Sequence, residues 1–324
     1  MTDEYVEMVV SRRAQITPDV IELDLVPREG GALPTVAPGA HIALRLLPDM
    51  VRQYSLVLRD AAQQPLDAWT IAVLVDPNGR GGSRLIGESL VVGSRVDVSP
   101  PRNHFEFEPG SDGNVIFVAG GIGITPLIGM LDRAASAGLD WQLLYGGRNE
   151  ASMAYLPELQ QRFGDRVQAF PVDQGQLIDI EGLADGLKPG QKVYCCGPEP
   201  MIHALESALE RRGKLDSLRF ERFSPRDDDA AAPNFEFEVV AAASKTEFIV
   251  PADESILMAA DFEGIEVPGD CMEGTCGSCV TRVLAGQVDH RDSVLTAAQR
   301  AANDRMMICV SRAAPGCKTL ALDM

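Results

Sequence analysis

Along the first hundred residues, apolar and polar positions alternate in short runs set off by turn-forming residues: "IELDLV", "HIALRLL", "QYSLVL", "WTIAVLV" and "RVDVSPP". A period of two with β-branched and aromatic side chains marks strands that bury one face, so Val6 to about Val98 is expected to form a small antiparallel barrel or sandwich. From Asn114 the pattern changes. Continuous apolar runs ("NVIFVAGG", "DWQLLYGG", "RVQAFPV", "QKVYCCGP") alternate with stretches of helical spacing ("TPLIGMLDRAASAG", "MAYLPELQQRFG", "MIHALESALERRG"). That alternation predicts an α/β region, a parallel sheet with helices on its faces. "SPRDDDAAAPN" follows neither period and is expected to be a linker. Beyond it, "FEFEVVAAASKTEFIVP" alternates as a hairpin and "ESILMAADFEG" has helical spacing. The expected division is 1–108, 109–223, a linker at 224–234, and 235–324.

Charge narrows the function. The 324 residues carry 29 basic and 47 acidic side chains, a net charge of −18, which disfavours nucleic acid and anionic membranes as partners. No apolar run is long enough to span a bilayer, and "MTDEYVEMVV" has no basic segment leading into an apolar one. A cytoplasmic protein is expected. In that reducing compartment seven cysteines are poor candidates for disulfides, and clustered ones point to metal or redox chemistry.

Three of the seven fall in "GDCMEGTCGSCVTRV". The spacing is Cys271-x4-Cys276-x2-Cys279, with Cys309 following in "MMICVSR", the pattern of plant-type [2Fe-2S] ferredoxins. Small residues between the thiols let a tight loop aim backbone N–H groups at bridging sulfides. Zinc is the weaker alternative, because structural zinc ligands usually come as two close pairs and Cys309 has no near companion. A plant-type cluster takes one electron whereas a nicotinamide delivers a hydride. A flavin is the usual adapter.

Two stretches in the first region suit a flavin phosphate. Arg80, Gly81, Gly82 and Ser83 of "GRGGS" can form an anion-binding nest, and "RQYSL" adds the Arg52 guanidinium with the Tyr54 and Ser55 hydroxyls. A plain surface turn and an ordinary strand are the alternatives. In the second region the strand "VIFVAGG" runs through "GIG" into a helix, where glycine lets a pyrophosphate approach the helix N-terminus. The G-x-G-x-x-G fingerprint is absent, and glycines kept for tight strand-to-helix packing remain the alternative.

In order, "RQYSL", "GRGGS", "GGIGITP", "CCGP", "FERF" and the cysteine loop resemble the phthalate dioxygenase reductase family, which includes vanillate demethylase reductase subunits, over essentially the whole chain. The resemblance implies an antiparallel β-barrel flavin domain, an α/β parallel-sheet nucleotide domain and an α+β (β-grasp) plant-type ferredoxin domain. It implies FMN, held by Arg52, Gln53, Tyr54, Ser55, Arg80, Gly81, Gly82 and Ser83, with Ala72, Val73 and Leu74 lining the ring. Gly120, Gly121, Gly123 and Pro126, with Gly197 and Pro198, would bind the dinucleotide. Thr125 would sit where flavin and nicotinamide meet, Cys196 near the nicotinamide, and Phe223 on the flavin, the last alternatively a core or linker-anchoring aromatic. Cys195, on the same strand as Cys196, is expected to pack on the other face.

Asp173 or Arg148 would meet the adenosine ribose. The resemblance favours NADH, although a solvated loop charge fits both residues equally. Cys271, Cys276, Cys279 and Cys309 would hold the cluster, and electrons would pass to a separate terminal Rieske oxygenase. A monomer is expected. Alternatives are FAD in place of FMN, a cytochrome P450 or other hydroxylase as acceptor, an iron–sulfur sensing module without turnover, and a zinc-stabilised interaction protein.

Overall fold

Strands β1 (Val6–Thr17) and β2 (Val20–Pro27) pair antiparallel, with register shifts at Val10/Arg12 and Gln15/Thr17. With β3 (His41–Leu47), β4 (Met50–Ser55), β5 (Trp69–Leu74) and β6 (Arg95–Val98) they form one sheet in the order β4-β3-β6-β1-β2-β5. A bridge between Leu56 and Ile71 brings the end of β4 onto β5 and closes the sheet into a barrel. Alternate side chains, among them Leu23, Leu25, Ile42, Leu44, Ile71 and Val73, fill the interior. Each such burial contributes roughly 1.5–3 kcal/mol. Helix α1 (Gly82–Ser89) starts inside "GRGGS" and buries Ile86. This computed structural model describes residues 5–48, 50–59, 66–109, 114–225 and 232–324; positions 226–231 of the expected linker lie outside the described residues.

The second sheet is parallel throughout, in the order β11-β10-β7-β8-β9, built from β7 (Val115–Gly120), β8 (Trp141–Gly147), β9 (Val167–Pro171), β10 (Lys192–Cys196) and β11 (Leu218–Glu221). Its near-continuous apolar strands are what burial on both faces requires. Phe117, Leu143, Tyr145 and Tyr194 pack against α2 (Ile124–Ser136) and α3 (Leu156–Phe163). Ile116, Val118, Leu144 and Val193 pack against α4 (Ile180–Gly186) and α5 (Glu199–Glu210) on the other side. The strand order reverses between β7 and β10, and ligands of open α/β sheets bind at the carboxyl ends flanking such a switch point. Val20 and Ala72, on the outer face of the barrel, join the core that contains Phe117 and Ile124. Barrel and parallel sheet belong to one compact unit ending at Glu221.

A second unit begins at Arg222. Its main sheet has the order β13-β12-β18-β14-β16, from β12 (Phe237–Ala241), β13 (Thr246–Val250), β14 (Val280–Ala285), β16 (Arg305–Met307) and β18 (Thr319–Leu322). β12 and β18 are parallel and the other pairs antiparallel. Short strands β15 (Val288–Asp289) and β17 (Arg312–Ala313) pair separately, and α6 (Ile256–Phe262) and α7 (Ala297–Ala302) complete the unit. Ser255 caps α6, its hydroxyl accepting from Met258 N–H. The cysteine loop enters between α6 and β14.

Candidate functional site

The cysteine loop, 269–279, is pinned by its own polar groups. Asp270 N–H donates to Ser278 Oγ at 2.9 Å, Glu273 N–H to Cys271 Sγ at 3.4 Å and Ser278 N–H to Cys276 Sγ at 3.5 Å. From outside the loop, Ser293 N–H donates to the Gly274 carbonyl at 2.8 Å. Gly274 has φ +68, and a Cβ there would lie 2.5 Å from Val310 Cγ2, so glycine is required. Cys309, in the turn between β16 and β17, lies with its sulfur 3.1 Å from that of Cys279.

The Cys279 and Cys309 sulfurs form one close pair, and Cys271 has both Cys276 and Cys309 as neighbours. Neighbouring Cys276 and then Cys309 shift the Cys271 thiol down, and Cys309 does the same to Cys279. Cys276 and Cys309 move up, chiefly because they share their protons with those partners and then because they are buried. Among the described residues no three His, Cys, Asp or Glu side chains gather on one point suited to a single ion. Four neighbouring cysteines, with backbone N–H groups directed at two of their sulfurs, fit a two-iron cluster.

In the first unit the carboxyl ends of β7 and β10 make a second site. The turn Gly121–Gly123 joins β7 to α2, and β5 lies against it. A Cβ on Gly123 would lie 2.2 Å from the Cys196 carbonyl oxygen, one on Gly120 2.4 Å from Pro198 Cδ, and one on Gly197 2.9 Å from Gly120 Cα. These three glycines are needed for packing. Gly121 differs: at φ +54 it has open space where a Cβ would be, and it leaves backbone accessible before the N-terminus of α2. Thr125 is buried and donates to the Ile122 carbonyl at 3.0 Å, and Pro126 is buried in the first turn of α2. Asp173 and Arg148 are exposed beyond β9 and β8, joined by Asp173 N–H donating to Arg148 C=O at 3.0 Å.

Cys196 is fully buried on the α2 face and Cys195 on the opposite one. Burial, then the nearby Glu221 and Cys195, push the Cys196 thiol well above its ordinary range. Glu221, opposite Cys196 in the β10–β11 register, has its carboxyl pushed up to about 8 by burial, which outweighs the hydrogen bond from Ser55 Oγ at 3.4 Å. Glu221 escaped the sequence reading. The available signal was an acid between aromatics in "FERF" at the end of a strand.

The two stretches read as a flavin site come together. Arg52 donates to the Arg80 carbonyl at 3.2 Å, and a Cβ on Gly82 would lie 2.7 Å from the Arg52 side chain. Gly81, at φ +85, precedes the first turn of α1, whose amide groups and Ser83 suit a phosphate monoester. Both polar atoms of the buried Gln53 amide have no partner. Such groups cost about 1–3 kcal/mol, so a ligand edge with donor and acceptor fits here. Ala72 and Leu74 face the parallel-sheet core, whereas Val73 points into the barrel and offers only backbone. Phe223, just past β11, is 42% exposed.

Residues 240–314 match the 2Fe-2S iron-sulfur cluster binding domain and 117–207 the oxidoreductase NAD-binding domain. Vanillate O-demethylase oxidoreductase from Pseudomonas sp. (strain HR199 / DSM 7063) is 38% identical over 98% of this chain and 100% of its own length. The crystal structure of phthalate dioxygenase reductase, described as a modular structure for electron transfer from pyridine nucleotides to [2Fe-2S], superposes with a TM-score of 0.69 at 32% identity, over 99% of this chain and 98% of that one. An intact type IV self-sufficient cytochrome P450 monooxygenase superposes with a TM-score of 0.89 at 38% identity; 99% of this chain is covered, but only 41% of that one. No helix among the described residues is long and apolar enough to cross a membrane. With paired thiols in one unit, a nucleotide-type switch point in the other and relatives that match from end to end, the chain belongs to the family of vanillate O-demethylase oxidoreductase and phthalate dioxygenase reductase, oxidoreductases that carry an NAD-binding and a [2Fe-2S] domain on one chain.

Proposed function

We propose that the protein is the NADH-dependent, FMN-containing reductase of a Rieske non-haem iron oxygenase system, working as a cytoplasmic monomer with three functional divisions at 1–108, 109–223 and 235–324. The observation that carries this reading is the gathering of Cys271, Cys276, Cys279 and Cys309, with the Cys279 and Cys309 sulfurs 3.1 Å apart, on the chain that also holds the nucleotide switch point. FMN converts a two-electron hydride donor into single electrons, and a [2Fe-2S] cluster relays them one at a time.

The chain's part is positioning. Arg52, Arg80 and the amides of Gly81, Gly82 and Ser83 hold the flavin phosphate, and Gln53 takes the polar edge of the ring. Tyr54 and Ser55 flank it, with Ala72 and Leu74 presenting side chains and Val73 backbone. Gly121 and the α2 N-terminus receive the pyrophosphate, with Gly120, Gly123, Pro126, Gly197 and Pro198 shaping the turn. Thr125 and Cys196 border the place where nicotinamide meets flavin, and Phe223 is the aromatic residue assigned to the flavin. Asp173 selects NADH by accepting from the ribose hydroxyls. A neutral Cys196 and a protonated Glu221 put no charge of their own beside the hydride path.

Likeness to the reductase portion of a self-sufficient P450 supports a second acceptor, a cytochrome P450. Anaerobic mixing of NADH-reduced protein with a purified Rieske oxygenase or a P450, each followed optically, separates the two. Fast reduction of the Rieske centre is expected, and reduction of the P450 alone would replace the reading. Chromatography of the flavin released on denaturation is expected to give FMN; FAD would contradict the phosphate-terminus assignment.

A further inference from the structure

The strand pattern of β2 places Glu22 on the outer face of the barrel, opposite Ala72 of β5. That face is not solvent. Glu22 is 1% exposed, and its carboxylate takes Arg12 from β1 on one oxygen and Arg59 on the other. The second oxygen also accepts from the Tyr155 hydroxyl at 2.6 Å. Tyr155 precedes α3 with φ 63, a backbone region that residues other than glycine rarely enter. Its ring lies under the Arg59 guanidinium, 5.0 Å away, and Arg59 continues to Glu158 of α3 at 3.2 Å.

One residue earlier the chain is held again. The buried Tyr145 hydroxyl lies 3.1 Å from the Ala154 carbonyl and 3.0 Å from that of Gly121, in the nucleotide turn. A continuous path of short contacts therefore runs from β5 and β2 through Glu22 and Tyr155 to Ala154, Tyr145 and Gly121. A strained backbone persists where its surroundings over-determine it, and such strain gathers at functional constraints.

We infer that Glu22, Tyr155 and Tyr145 are positioning residues: together they form a tie that sets the distance between the flavin-lining strand β5 and the dinucleotide-binding turn 121–123. This rests on the proposed hydride transfer from NADH to a flavin on the barrel. The tie touches neither ring. It acts by fixing the strand that lines the flavin and the turn that seats the dinucleotide, and hydride transfer is steeply sensitive to sub-ångström placement of reacting atoms.

The test compares wild type with Tyr155→Phe, which removes one oxygen and keeps the ring, and with Glu22→Gln. Glu181→Gln, in a distant exposed ion pair, is the control. Rapid anaerobic mixing with NADH gives the flavin-reduction rate constant and the long-wavelength charge-transfer absorbance of the stacked rings. Amide hydrogen exchange on protein without nucleotide reports turn 121–123 directly. In Tyr155→Phe the rate constant should fall about tenfold, the charge-transfer band weaken and exchange at the turn speed up. NADH affinity should change less than about twofold, and the control should match wild type.

Wild-type rate, band and exchange in Tyr155→Phe overturn the tie whatever happens to the melting temperature, and so does a change confined to NADH affinity. If Glu22→Gln does not fold, Tyr155→Phe decides alone. A wild type whose flavin NADH does not reduce removes the functional reading, and the tie with it.

Discussion

Two groups of thiols in this molecule have opposite chemistry. In the cysteine loop Cys279 lies against Cys309, backbone N–H groups are aimed at Cys271 and Cys276, and the Cys271 and Cys279 thiols are shifted down. At the edge of the parallel sheet Cys196 has no such support: burial and the neighbouring Glu221 push its thiol up, and Glu221 is itself pushed up to about 8. Surroundings, not residue type, decide the difference. A loop of donor-supported thiols suits a metal cluster, whereas a desolvated thiol beside a protonated carboxyl stays neutral.

The largest effect should come from breaking a sulfur pair. Cys309→Ser leaves Cys279 without its partner, and iron content and iron–sulfur absorbance should fall by more than the roughly 10–100-fold that losing an outer-shell partner costs a metal site. Flavin should be retained. Iron analysis beside the visible spectrum checks this, and an undiminished cluster would contradict the ligand set.

Next is the protonation of Glu221. Its folded value, about 8, lies above the ordinary 4.5. The folded protein therefore holds a proton that the unfolded chain has released between these limits. Its contribution to stability is complete below about 4.5, declines as pH rises through about 8 and is flat beyond, a loss on the order of a few kcal/mol. Urea midpoints from pH 5 to 9 should show this slope in wild type and lose it in Glu221→Gln; identical slopes would contradict a protonated Glu221.

Gly123→Ala drives a methyl toward the Cys196 carbonyl, to 2.2 Å where nothing can yield cheaply. Calorimetry should show a cost of about 1–3 kcal/mol, as for overpacking elsewhere, together with weakened NADH binding. The smallest effect is expected for iodoacetamide on the folded protein at neutral pH. Mass spectrometry should find Cys196 unlabelled, with half-exposed Cys317 reacting first; prompt alkylation of Cys196 would remove the contrast between the two thiol groups.

Much of this was legible in the sequence because its signals are local. Period-two runs mark β2, β3 and β5, apolar blocks mark β7 to β10, and the cysteine spacing carries its own chemistry. β1 was not legible: its two register shifts break the alternation across "SRRAQ". Helices α1 and α4 are short and carry glycines, so tertiary packing rather than propensity decides them.

Glu22 and Glu221 were hidden for a different reason. In "IELDLV" alternation puts Glu22 outside the barrel, correctly, but that outside is covered by Tyr155. Glu221 acquires its surroundings from Cys196 and Ser55, far away in sequence. Gly120, Gly121 and Gly123 look alike as letters, yet coordinates separate the packing glycines from the open one.

The most direct measurement is an anaerobic titration of the purified, cofactor-replete protein with NADH, followed by visible absorbance. Bleaching of the flavin band together with partial bleaching of the broader iron–sulfur absorption is expected. If dithionite bleached both chromophores while NADH bleached neither, the assignment of an NADH-to-cluster reductase would be contradicted.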